Sequence, residues 1–143
     1  MPLLSHKQEI TLSGQVQEYM KVEIAEQEII KLTGEQPMKE ELATKFQLTM
    51  NQLEKILKAG GKAKERIVAA NLSLVVNISK KYMNQGLELL DLIQAGTIGL
   101  LRAVEKFDPN RGYRFSEYAQ WWIMQAITKE IINKSSEIKL PIH

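Results

Sequence analysis

Where this chain can break a helix constrains its fold more than any other feature. Turn-forming clusters occur at Thr33-Gly34-Glu35-Gln36-Pro37, Gly60-Gly61, Asn84-Gln85-Gly86 and Asp108-Pro109-Asn110-Arg111-Gly112, and a last proline stands at Pro141. Between them apolar residues recur at three and four, and no alternating run is long enough for a strand. The expected fold class is therefore all-α. Ser5 and Gln8 have the spacing of a capping box, which opens a long polar-rich helix reaching Leu32. Two short helices follow at about 38–46 and 50–58, the second opened by Thr49 and Gln52 in the same pattern. That pair has the outline of a helix-turn-helix, but a helical hairpin packed on its neighbours is the simpler account. Gly60-Gly61 reads as a break. Beyond it an amphipathic helix is expected over 63–84, with Ile67, Ala70, Leu74, Ile78 and Tyr82 on its apolar face. A leucine-rich helix over 89–107 and a final helix over 116–135 complete the set. Lys139-Leu140-Pro141-Ile142-His143 reads as extended.

Composition narrows the function classes. A chain of 143 residues can bury one real core or two small ones. Its formal net charge of +2 permits a nucleic-acid partner without demanding one. With no cysteine, disulfides and thiolate metal sites are excluded. The histidines, His6 and His143, lie near opposite ends, and no catalytic constellation is visible, so neither an enzyme nor a metal or cofactor is expected. No apolar run approaches the roughly 18–20 residues of a membrane span, and the N-terminus lacks the apolar run of a signal peptide. The expected compartment is the cytoplasm.

The unusual segment is Arg111-Gly112-Tyr113-Arg114-Phe115-Ser116-Glu117-Tyr118-Ala119-Gln120-Trp121-Trp122, which holds both tryptophans and two of the four tyrosines. On a helical wheel Ala119, Ile123, Ala126 and Ile127 share the core face. Tyr118, Trp122, Gln125 and Lys129 fall roughly opposite, with Trp121 beside them. Rings, an amide and a cation together suit unstacked bases, because every base has a flat π-face and a duplex hides it. Lys106, Arg111, Arg114 and Lys129 surround the rings and can neutralise phosphates. Aromatic residues at helical spacing are more often core, and periodicity alone leaves the two accounts level.

The segments Ala70-Asn71-Leu72-Ser73-Leu74-Val75-Val76, Leu89-Leu90-Asp91-Leu92-Ile93-Gln94-Ala95-Gly96-Thr97-Ile98-Gly99-Leu100, Val104-Glu105-Lys106-Phe107-Asp108 and Gly112-Tyr113-Arg114-Phe115-Ser116, with Trp121-Trp122-Ile123, closely resemble region 2 of the sigma-70 family, the promoter-specificity subunits of bacterial RNA polymerase. The resemblance is dense over 65–143 and has a cyanobacterial or plastid-like character. Pro2 to Ile10 is similar to region 1.2. It implies region 1.2-like helices and a short helical linker over 1–62, region 2 over 63–138, and the start of the region 3 linker over 139–143, truncated before regions 3 and 4. It also implies two working surfaces. Leu90, Asp91, Gln94, Thr97 and Leu101 match positions that dock on the clamp coiled coil of the largest polymerase subunit. Lys106, Phe107, Arg111, Tyr113, Arg114, Phe115, Tyr118, Trp121, Trp122, Gln125, Thr128 and Lys129 match the apparatus that melts the −10 element and captures flipped bases of the single-stranded non-template strand. Asn71 matches a position near the pocket for a second flipped base. Core RNA polymerase and promoter DNA are the implied partners, and an anti-sigma factor is a further partner of such proteins. The implied compartment is bacterial cytoplasm or plastid stroma.

Four residues depart from the family pattern. Glu117 replaces a small hydroxyl residue and would repel phosphates unless Arg114 or a neighbour offsets it. Met124 replaces an arginine, Ala95 a glutamate on the polymerase-docking helix, and Lys129 an arginine, losing a planar fork but keeping the charge. The leading expectation is a sigma module that binds polymerase and melts the −10 element. Its rival is an interaction protein that occupies the polymerase clamp, as decoy or recruiter, with weakened DNA recognition.

Overall fold

The computed structural model describes residues 3–139, with side chains as far as Ser135. Its elements are α1 (His6–Thr33), α2 (Lys39–Lys45), α3 (Met50–Ala70), α4 (Leu72–Lys80), α5 (Leu89–Lys106), a 3₁₀ turn at Pro109–Arg111, and α6 (Phe115–Lys139). The described residues contain no strand. The extended reading of the C-terminal segment fails at Lys139, which ends α6; Leu140 to His143 lie outside the described residues, as do Met1 and Pro2.

Both capping boxes form. The Ser5 hydroxyl accepts from the Gln8 amide at 3.1 Å while Gln8 Oε1 accepts from the Ser5 amide at 2.9 Å. Thr49 and Gln52 repeat the arrangement at the start of α3. Each box satisfies orphan donors that a helix start leaves open.

Gly60-Gly61 does not break the chain, because α3 runs through both residues. Position 62, where the two segments were expected to divide, thus lies inside a helix. The reason is packing. Gly60 is buried against α1, and a Cβ there would overlap the side chain of Tyr19, reaching its Cγ at 2.8 Å. A helical glycine costs roughly 1 kcal/mol against alanine. Here that cost is offset by the close approach of α1 and α3. The true interruption comes at Asn71, between α3 and α4, where Asn71 Nδ2 donates to the Ile67 carbonyl at 2.8 Å. The helix expected over 63–84 is accordingly two helices, and the second stops at Lys80. Asn84 and Gly86 then take positive φ, at 69° and 100°, to turn the chain into α5.

The polar-rich α1 has no single apolar stripe because it serves two cores. Leu12 and Val16 enter the main core, whereas Val22 enters a second cluster with Leu42, Ala43 and Leu53. At about 100° per residue these two faces lie roughly 100° apart. The second cluster holds the α2–α3 pair on α1, as a packed hairpin. The main core centres on α5 and α6, through Leu92, Leu100, Val104, Ile123 and Ile127, all fully buried. Those two helices approach closely because glycine faces glycine-sized space. A Cβ on Gly99 would overlap the Trp122 carbonyl and come within 2.9 Å of Ala126, and one on Gly96 would come within 2.9 Å of Val75. Ala95 is buried too, on the side of α5 that borders the cleft with α6.

The paired glycines make a direct test. Gly60→Ala is expected to destabilise the fold by about 1–3 kcal/mol through overpacking. Gly61→Ala, whose Cβ meets nothing within 4 Å, is expected to stabilise it by about 0.5–1 kcal/mol. Urea unfolding of the two variants should give midpoints on opposite sides of the parent chain.

Candidate nucleic-acid interface

The aromatic segment is a tight corner between α5 and α6. Phe107 ends α5 in an extended conformation. Asp108 then caps the 3₁₀ turn, its carboxylate accepting from the Asn110 amide at 2.9 Å. Gly112 adopts φ 84°, a left-handed conformation that side chains rarely take, and this turns Tyr113 back toward Phe107. Helix α6 starts at Phe115.

The rings form one continuous series, graded from buried to exposed. Phe107 and Phe115 are the floor, each only 2% exposed, and meet edge-on at 5.2 Å. Tyr113 and Tyr118 lie above Phe107 and stack on each other at 5.8 Å and 25°. Trp122 follows at 6.0 Å from Tyr118, and Trp121 stands perpendicular to Trp122 at 5.3 Å. Trp121 is 58% exposed, and Tyr113, Tyr118 and Trp122 are half-buried. Each ring therefore braces the next, and only the outer members offer a face to a ligand.

Three of the residues expected at the DNA face are engaged within the protein. Phe107 and Phe115 cannot stack on bases, because their rings fill the core. Arg114 does not stand free for a phosphate. Its Nε and Nη2 donate to the two oxygens of Glu9, at 3.0 and 2.8 Å, and Nη2 also donates to the Leu4 carbonyl at 3.2 Å. The hydrogen bond to Glu9, and then the charge of Glu9, raise Arg114 above its ordinary pKa. Desolvation works against this, and Glu117 adds a smaller attraction.

Glu9 is the functional residue that sequence reasoning missed. It is the one charged side chain buried among the described residues. Besides the Arg114 fork it accepts from the Phe115 backbone amide at 3.2 Å. A residue of α1 thereby satisfies an orphan amide at the first turn of α6. Nearby, Gln17 Nε2 donates to the Phe107 carbonyl at 2.6 Å. Two side chains of α1 thus hold both ends of the aromatic corner. The signal was present: Glu9 lies three residues before Leu12 and seven before Val16, a carboxylate inside an apolar helical stripe.

The remaining predicted residues divide into four groups. Lys106 joins the ring series, since its carbonyl accepts from the Tyr118 hydroxyl at 3.4 Å. Arg111 is exposed on the turn, with Nε 3.6 Å from Asp108. Gln125, Thr128 and Lys129 follow along the outer face of α6, where with Trp121, Ile98 and Arg102 they line an open cleft of about 660 Å³ between α5 and α6. The Thr128 hydroxyl is bonded back to the Met124 carbonyl. Asn71 stands apart from the rings, at the α3–α4 bend.

On α5 the five residues matched to polymerase docking share one outward stripe. Leu90 is 65% exposed, Asp91 and Gln94 are exposed, and Thr97 and Leu101 are half-buried. Ile98, 55% exposed, extends the stripe. A leucine and an isoleucine that open to solvent beside an aspartate and a glutamine have the makings of a contact surface.

Residues 67–136 match the family described as Sigma-70 region 2. The chain belongs to the sigma-70 family. It is 50% identical over 143 residues to the RNA polymerase sigma-B factor of a Nostoc species, covering 100% of this chain and 43% of that one. It is 48% identical over 141 residues to the RNA polymerase sigma factor SigA2 of Synechococcus elongatus, covering 99% and 44%. An RNA polymerase sigma-C factor from Nostoc is 58% identical over 96 residues, 67% of this chain and 23% of that one. The chain thus spans less than half the length of these relatives, and its sigma region 2 contains the whole ring series and the outward stripe of α5. No helix among the described residues is long and apolar enough to cross a membrane.

If the Glu9–Arg114 pair fixes this corner, Glu9→Gln and Arg114→Gln should each lower the melting temperature. The double variant should lose clearly less than the two single losses combined, as residues sharing one interaction do. A thermal-denaturation cycle over the four chains checks this; additive losses would contradict the coupling.

Proposed function

We propose that this chain is the part of a sigma factor that docks on core RNA polymerase and recognises and melts the promoter −10 element in transcription initiation. It acts as a binding module and not as an enzyme, in the cytoplasm or the plastid stroma. The observation that carries the reading is the ring series, which ends in the half-buried Tyr113, Tyr118 and Trp122 and the exposed Trp121.

Two rigid layers support base capture. The buried Phe107 and Phe115 fix the tyrosines from below, so little freedom is lost when a base arrives. A base leaving the duplex stack sacrifices a few kcal/mol. Stacking on a protein ring returns roughly 1–3 kcal/mol per base. Tyr118 and Tyr113 would hold the flipped base of the non-template strand, and Trp121 and Trp122 would wedge the upstream edge of the melted segment. Gln125 faces outward next to the cleft, and a glutamine can hold an adenine bidentately in the major groove. Thr128 and Lys129 would face the last paired bases with it. Asn71, with its amide already engaged, would line a second pocket through its remaining acceptor.

The α5 stripe is the second surface. Leu90, Ile98 and Leu101 supply apolar area, while Asp91, Gln94 and Thr97 supply direction, for the clamp coiled coil of the largest polymerase subunit. An anti-sigma factor would compete for this same stripe.

Tyr118→Ala is expected to weaken binding of a single strand carrying TATAAT by about 5- to 100-fold, the range that one lost stacking contact gives. Binding to core polymerase should stay unchanged. Leu90→Asp should do the reverse. Fluorescence anisotropy with labelled strand, with and without core polymerase, and a polymerase pull-down measure the two. Polymerase binding without any preference for the intact strand would move the reading to the clamp-binding interaction protein.

A further inference from the structure

At the corner between α5 and α6 the charges balance instead of adding. Three cations stand at the corner: Lys106, Arg111 and Arg114. Three carboxylates stand with them. Asp108 lies 3.6 Å from Arg111, and Glu9 holds Arg114 in a two-pronged pair. The third is Glu117, exposed in the first turn of α6 and directly before Tyr118. Arg114 feels the charge of Glu117, but its hydrogen bonds go to Glu9 and to the Leu4 carbonyl. One guanidinium therefore serves two carboxylates, and Glu9 takes its geometry. Glu117, on the rim of the rings, has no ion-paired cation among the described residues. Further along, the cleft beside Trp121 holds Arg102 and Lys129 with Glu130.

We infer that Glu117 is an affinity-limiting residue of the aromatic face, which suppresses sequence-independent binding of nucleic-acid strands. The physical basis is a difference in range. A phosphate backbone is attracted or repelled by the summed charge of a surface, whatever the sequence, through the release of counterions. Stacking acts only at contact and only on a base that has left its neighbours. A face with balanced charge and one repelling carboxylate keeps the second interaction and loses the first. Strands then stay only where a base enters the ring series, or where a partner holds the DNA in place. Specificity gained by adding a repulsive element is a general device of selective interfaces. The inference rests on the strand-binding role proposed above for these rings.

Glu117 also has an ordinary structural role open to it, since a carboxylate in the first turn of a helix favours the helix dipole. The test must separate the two. Glu117→Gln keeps the side-chain shape and removes the charge. Anisotropy titrations would use the full chain, alone and with core polymerase, against a short strand carrying TATAAT and one with the second-position A changed. Tyr118→Ala and the parent chain are run beside it. At about 50 mM salt Glu117→Gln should bind both strands roughly 3- to 10-fold more tightly than the parent, and at about 500 mM salt the gain should vanish, because screening removes a charge effect at a surface. The ratio between the two strands should not change.

Equal affinity of parent and variant at low salt would overturn the inference, and so would a gain that survives high salt or that appears on one strand only. A lowered melting temperature with unchanged strand affinity would assign Glu117 to the helix dipole alone. Absence of strand binding by both parent and variant would also defeat it, since lifting the repulsion should raise binding. If Tyr118→Ala has no effect while Glu117→Gln gains on both strands, the base-capture reading fails and the electrostatic assignment stands.

Discussion

The close approach of α5 and α6 at Gly96 and Gly99 is the constraint on which the rest of the molecule depends. A side chain at Gly99 would overlap the Trp122 backbone, and one at Gly96 would crowd Val75, Ile123 and Ile127. With the helices this close, their outer faces become two neighbouring surfaces with a fixed relation. One carries Leu90, Gln94 and Ile98, the other Trp121, Gln125 and Lys129, and a cleft lies between them. Interiors packed at crystal density transmit displacement instead of absorbing it. A partner seated on α5 thus meets a ring face that is already aimed.

That aim is set from outside the pair. Helix α1 reaches the aromatic corner with Glu9 and Gln17, at the start of α6 and the end of α5. Both contacts go to backbone groups that helix ends leave without partners. The N-terminal helix, distant in sequence from the rings, is thereby built into their foundation. Lys64 of α3 adds a partly buried ion pair with Glu105, near the end of α5.

Much of this was legible in the sequence, and the failures have physical causes. Local rules worked where local forces decide: both capping boxes, the turn at Asp108 to Gly112 and the start of α5 all stand as read. Gly60 was misread because propensity cannot see Tyr19 coming in from another helix. The family resemblance alone places Phe107 and Phe115 with the ligand-facing rings, whereas their burial is decided by the corner and by α1. Arg114 reads as free in the sequence because its partner lies 105 positions away. The tyrosine and tryptophan gradation needed three dimensions, as did the packing of Tyr118 and Trp122 against the core of Ala119, Ile123 and Ile127.

The double service of α1 sets how this part of the chain can vary in length during evolution. Val16 belongs to one core and Val22 to the other, with only five residues between. Inserting or deleting one residue there turns one half of the helix by about 100° against the other, so one core loses its face. Insertions between α1 and α2, around the exposed Gly34 to Gln36, disturb neither core. Sigma-70 relatives with added segments in this half of the molecule should therefore carry them after α1 and keep the count from Glu9 to Ala25 unchanged.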